Sequence, residues 1–335
     1  MMLAPAIMAL ILVSGSVSLM MLLASVFALQ VVRHWDIHSG SERQLRLERQ
    51  TYLISTLLVW TFVSELIALL LFIYNAEAMS GQFVGAMCAT GVLNVNDWGW
   101  PDLYLKIAIF FAGSTWLILN HLDNQGYDYP LIRLKYRLML LILPLVLAEF
   151  VVQLNYFLQM DPAVITSCCG ALFSADAEGV AAEISGLAPR TSLWLLIGSG
   201  AGVFASGLHF VIRGRGGLLY ALLALFSFIS ALVAIISFIA LYIYEHPHHH
   251  CPFCILKSGY DYVGYLLYIP LFTATALALG CGAIAPWRHI SSLSAAFEPL
   301  SHRLAWSSLA LFLLFYAVAA WNVLGSNLVM QGVWW

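Results

Sequence analysis

The segment His246-Pro247-His248-His249-His250-Cys251-Pro252-Phe253-Cys254-Ile255-Leu256-Lys257 gathers the side chains best suited to chemistry. Cysteines three apart share a face if a helix starts there, so their sulfurs can approach, and a helix N-terminus with nearby cations favours thiolate over thiol. Pro252 fits a first helical turn, where its missing amide hydrogen would have lacked a partner. The pair Cys251 and Cys254 can then exchange disulfides through a mixed intermediate, with His250 and Lys257 biasing the thiolate. Imidazoles beside thiolates also ligate zinc or copper, and soft Cu(I) in particular accepts cysteine sulfur. On an extended approach His248 and His250 point to one side and His249 to the other, so the metal set of this alternative is His248, His250, Cys251 and Cys254. The plain reading is a structural disulfide or metal staple. No His follows Cys254, so the CxxCH of covalent haem attachment is absent.

The remaining cysteines extend the pattern. Cys88, Cys168, Cys169, Cys251 and Cys254 fall between apolar runs on one predicted side, whereas Cys281 falls near the opposite end of the seventh run. Five cysteines on an oxidising side leave at least one outside any pairing within the chain. The vicinal Cys168-Cys169 can hold a soft metal, while a disulfide between adjacent residues is strained. A bridge from Cys88 to Cys168 or Cys169 would tie two loops together and leave the other thiol as a resolving cysteine.

A CxxC followed by an apolar residue and a nearby cation, at the mouth of a membrane span, resembles the DsbB and vitamin K epoxide reductase families of membrane thiol oxidoreductases. The likeness covers about ten residues of this chain, around Cys251 to Lys257. It implies a membrane-proximal redox role for Cys251 and Cys254, electron transfer to a quinone, and a second cysteine pair facing a soluble thiol protein. Those families are smaller bundles than the one expected here.

Two acidic residues interrupt the apolar runs. Glu65 and Glu149 lie near the middle of the second and fourth, where a charged carboxylate is costly unless neutralised, paired or hydrated. They are candidates for a proton path if they face one another, or for hydrogen bonding between helices with Gln153, Asn155 or Thr61 as partners.

The elements that must position these groups are read from composition. The 335 residues are 62% hydrophobic and 9% charged, with a mean hydropathy of +0.89, far from the roughly 25% charge of soluble domains. Apolar runs at about 6-32, 51-74, 103-120, 138-158, 191-212, 218-244, 260-284 and 304-325 approach the roughly 20 residues needed to cross a bilayer as helix. The expected fold is an all-α, polytopic membrane bundle of about eight spans forming a single membrane domain, 1-335, whose first run is retained. Polar residues 38-50 are expected to extend the second helix.

Arg33, Arg43, Arg46, Arg49, Arg133, Lys135, Arg137, Arg213, Arg215, Arg288 and Arg303, eleven of the fourteen basic residues, fall in alternate loops. Because cytoplasmic loops retain positive charge, both termini and the loops at about 75-102, 159-190 and 245-259 are expected outside. In a bacterium this means an inner-membrane protein with cysteine-rich loops in the periplasm, where periplasmic thiol proteins or other membrane subunits are possible partners. The net charge of -3 and the lack of a dense basic tract give no support for nucleic acid. Gly198 and Gly202, spaced as GxxxG, mark a close helix contact within the bundle or in a dimer. Three function classes remain: a thiol-disulfide redox protein, a copper or zinc handling protein, and a structural anchor with disulfide-stapled loops.

Overall fold

The computed structural model describes residues 4-161, 163-166 and 187-330. Its long elements are α1 (Pro5–His34), α2 (Glu42–Ala78), α4 (Gly99–Asp123), α5 (Ile132–Leu158), α6 (Pro189–Arg213), α7 (Gly217–Ala234), α9 (Val263–Ile284) and α10 (Ser294–Gly325). Short helices α3 (Ala89–Leu93) and α8 (Ala240–Tyr244) lie between them, α8 continuing α7 through a π-turn at Ile235–Ile239. Among the described residues eight helical stretches are long and apolar enough to cross a membrane, and the chain is an integral membrane helix bundle.

Local chemistry sets several boundaries. Pro5 and Pro189 occupy first-turn positions of α1 and α6, where a missing amide hydrogen costs nothing. Gly214, at φ 60°, closes α6 in the left-handed conformation glycine adopts without strain. The helical extension expected from residues 38-50 is present, since α2 begins at Glu42. The last span begins at Ser294 rather than near 304 and carries Pro299 inside it; the polar stretch ahead of the apolar run is helical too.

The residues group into two compact units, Met1–Ala76 with Val95–Asp161 and Pro286–Leu300, and Glu77–Asn94 with Pro162–Ala285 and Ser301–Trp335. The first unit is built on α1, α2, α4 and α5 around Met21, Phe62, Trp116, Tyr136 and Met139. Its hairpin between α4 and α5 is held by a buried ion pair: Lys135 Nζ lies 2.8 Å from Asp123 Oδ2, and Asp123 Oδ1 accepts from Leu131 N at 2.7 Å. Lys135, expected as a cytoplasmic loop charge, is in fact fully buried, because Asp123 and Asn120 compensate it.

The second unit joins α6, α7, α9 and α10 by hydrogen bonds across helices. Tyr220 OH donates to Ser308 Oγ, which donates to Ala274 O, each at 2.7 Å. Within the chain the GxxxG pair makes no close contact: Gly198 has open space where a Cβ would stand and Gly202 only ordinary contacts. A Cβ on Gly200 would lie 2.6 Å from Tyr316, and one on Gly207 2.7 Å from both Leu309 and Tyr220. Spacing alone cannot say which small-residue face meets the larger side chains. Apolar residues such as Leu19, Leu23, Leu57 and Trp60 stay exposed on the first unit, as suits helices whose outer faces meet lipid.

Candidate functional site

The CxxC does not begin a membrane helix. Cys254–Leu256 is a single 3-10 turn, and α9 starts at Val263, so the expected helix N-terminus is not what acts on these sulfurs. The connecting loop is bracketed by left-handed residues, Glu245 at φ 51° before it and Asp261 and Tyr262 at φ 51° and 55° after it. Such conformations in non-glycine residues persist only where surrounding contacts enforce them. Here Glu245 Oε1 accepts from Asn327 N and Nδ2 at 2.9 Å, and the amides of Asp261 and Tyr262 donate to Ser258 O and Lys257 O at 3.1 Å; within the loop, Tyr244 OH donates to Cys251 O and Tyr268 OH to Pro252 O at 2.7 Å. Gly264 lets the 3-10 turn lie on the first turn of α9, since a Cβ there would stand 2.8 Å from Ile255 and Leu256.

The other wall comes from residues 77-94. Cys88, immediately before α3, places its Sγ 3.2 Å from Cys251 Sγ, and Thr90 Oγ1 lies 3.2 Å from the same sulfur. Cys88, Cys251 and Cys254 have sulfurs all within 4.8 Å of one another, and all three residues are buried. Lys257 fastens the two walls: Nζ is 3.2 Å from Glu77 Oε1 and also donates to Met87 O, while Glu77 Oε2 accepts from Ala89 N at 2.9 Å. The 77-94 segment is further held where Thr166 N donates to Val84 O and Thr166 Oγ1 to Gly91 O.

The electrostatics single out Cys251. Hydrogen bonds from the Cys254 and Cys88 thiols, then from Thr90, hold it well below the ordinary thiol range, against the opposing effect of burial. Cys254 moves the other way, because its proton is what stabilises the neighbouring thiolate. His250 is tied to the backbone: its Nδ1–H donates to Ile236 O at 2.9 Å, in the π-turn after α7, and burial lowers its pKa. Burial also opposes the charge of Lys257, but Glu77 outweighs it and holds the ammonium above its usual value.

Of the residues expected to do chemistry, Cys251 and Cys254 come together with Cys88. His248 is exposed, and neither it nor His250 belongs to the sulfur cluster. Cys88 stands against Cys251; Cys168 and Cys169, the partners expected for it in a bridge, lie outside the described residues. Cys281 is buried within α9. Thr90 and Glu77 went unnoticed in the sequence; the acidic residue on the Cys88 side was the one available signal for a partner of Lys257.

Glu65 and Glu149 both lie in the first unit, within electrostatic reach of each other and of Lys106. Glu149 accepts from Ser14, Lys106 and Gln153. Thr61 and Asn155, the other expected partners, instead donate to carbonyls of their own helices. Asp102, which pairs with Lys106 at 3.7 Å, was also missed, although its spacing of four from a lysine inside an apolar run was legible.

Fold and site together define an α-helical integral membrane protein with a buried three-cysteine centre. No protein-family model matches the sequence, and no curated protein or solved structure is similar to it.

Proposed function

We propose that this protein binds a soft metal ion, foremost copper(I), on the sulfurs of Cys88, Cys251 and Cys254. The observation that carries this reading is the convergence of three buried sulfurs within 4.8 Å of one another. A metal bonded to three sulfurs at about 2.3 Å in a plane sets them about 4 Å apart. That value falls between the 3.2 Å of Cys88 and Cys251 and the outer limit of the cluster. Thiolates favour Cu(I), and the three sulfurs brought together among the described residues are the number a planar three-coordinate site takes. Ion entry displaces thiol protons, and Cys251 is the sulfur best prepared to lose one. The asymmetry of basic residues puts the 245-259 loop on the non-cytoplasmic side, so capture occurs there, in the periplasm if the membrane is a bacterial inner membrane. A periplasmic carrier or another membrane subunit would deliver or receive the ion.

The test is anaerobic titration of the detergent-purified protein with Cu(I) against a competing chelator. One ion per chain is expected, lost on replacing any of Cys88, Cys251 or Cys254 by alanine and kept in His248→Ala. Retention unchanged after Cys254→Ala, or no retention by the intact protein, would sink the proposal.

A thiol-disulfide relay is a second reading, favoured by the central position of Cys251 between Cys88 and Cys254. Closing either sulfur pair to about 2.05 Å makes a disulfide, with loss of two protons and transfer of two electrons to a quinone or to the disulfide of a periplasmic protein. Differential alkylation with mass spectrometry separates the two. Bridges that form in metal-free protein on adding quinone and reopen with a thiol donor favour the relay, whereas thiols shielded until a chelator is added favour the metal.

A further inference from the structure

The first unit holds a second polar centre, independent of the sulfurs. Glu65 of α2, Asp102 and Lys106 of α4, and Glu149 and Gln153 of α5 are at most 2% exposed. Within this centre Glu149 is the satisfied carboxylate: Oε1 accepts from Lys106 and from Gln153 Nε2 at 2.8 Å, and Oε2 accepts from Ser14 of α1. Lys106 therefore balances Glu149, with the Phe72 ring 5.3 Å from its nitrogen.

The remaining acids are not balanced. Asp102 Oδ1 lies 3.7 Å from Lys106 Nζ, yet neither Asp102 oxygen has a hydrogen-bond partner. Glu65 Oε1 and the amide oxygen of Gln153 also lack one. Among the described residues these are four buried acceptor atoms without a donor, one of them on a neutral side chain. With every carboxyl ionised, three negative charges would face one positive charge at a depth where such an excess is costly.

We propose that Glu65 and Asp102 are exchangeable proton-binding sites within the membrane, with the Lys106–Glu149 pair as their fixed counter-charge. One proton on each of Glu65 and Asp102 makes the centre neutral and turns two orphaned acceptors into O–H donors. Each carboxylate takes its proton from hydronium and returns it to water as the pH rises; no electron moves. A sodium ion would also fit an all-oxygen set, but it would bring a second full charge beside the Lys106 ammonium, whereas a proton leaves a neutral carboxyl. The other titratable group bearing on the site is the Tyr156 phenol, which lies within electrostatic reach of Asp102; the neutral groups are Ser14 and Gln153.

The test is infrared difference spectroscopy of the full chain in lipid nanodiscs, between mildly acidic and mildly alkaline buffer, in potassium and in sodium salts. The expected result is a protonated-carboxyl band that disappears on alkalinisation irrespective of the salt and loses one component in Glu65→Gln and another in Asp102→Asn. A hydrophobic carbodiimide, which attacks protonated carboxyls, provides a readout on the unaltered chain that needs no variant to fold: mass spectrometry should find Glu65 and Asp102 labelled at low pH and spared at high pH. A band that persists at every pH, with labelling to match, would overturn the proposal in favour of permanently protonated carboxyls that only join helices. Absence of the band together with a sodium-dependent carboxylate shift would overturn it in favour of a cation site.

Discussion

Cys251 gathers most of what this protein can do chemically into one sulfur. It lies 3.2 Å from Cys88 and from Thr90 and takes a hydrogen bond from Cys254, so its charge is stabilised by short dipoles rather than by a neighbouring cation. A thiol held below its usual range by donated hydrogen bonds is already deprotonated at lower pH, and removing a donor moves the transition upward. In metal-free protein the alkylation rate of Cys251 by a small reagent should thus stay high into acidic buffer. Its pH midpoint should rise most in Cys254→Ala, next in Cys88→Ala and least in Thr90→Val. A midpoint unmoved by Cys254→Ala would mean that another group sets the thiolate. His250→Ala should move the midpoint less than Cys254→Ala, since that ring donates to Ile236 O and is not among the groups that bond Cys251.

At the scale of elements, the irregular pieces position the site. The π-turn at Ile235–Ile239 leaves the Ile236 carbonyl to receive His250, in keeping with the use of such turns at functional sites. Small residues decide how closely the second unit's helices approach, and glycines on one helix are not equivalent. Gly200→Leu and Gly207→Leu should each cost about 1-3 kcal/mol through overpacking against Tyr316, Tyr220 and Leu309. Gly198→Leu should stay within about 0.5 kcal/mol, as for a site touching nothing. Unfolding of the three variants in one detergent reads this directly, and equal losses at all three positions would count against the arrangement of α6.

For the whole molecule, the distribution of Lys and Arg makes a prediction that helix geometry alone does not. With both termini outside, a C-terminal alkaline phosphatase fusion in bacteria should be active, and a fluorescent protein that matures only in the cytoplasm should stay dark there. The reverse pattern would invert the membrane face to which the cysteine loops belong, and with it the compartment from which an ion is captured. One of the eleven charges behind this expectation is not a loop charge: Lys135 sits in a buried pair with Asp123.

Residue types and their order suffice for the class of fold, because a bilayer requires backbone hydrogen bonds to close within each helix and every apolar run long enough to cross declares itself. They also single out Cys251, Cys254, Glu65 and Glu149 by residue type and place. Only tertiary structure decided that Cys88 joins Cys251 across 163 residues, that His248 and His250 stay out of the sulfur cluster, and that Asp102 and Lys106 complete the acidic centre. Periodicity reports one helix at a time, whereas these are meetings between side chains of distant segments. Which segments meet is settled by how large and small side chains fit between helices, a property of pairs that no single run of residues carries.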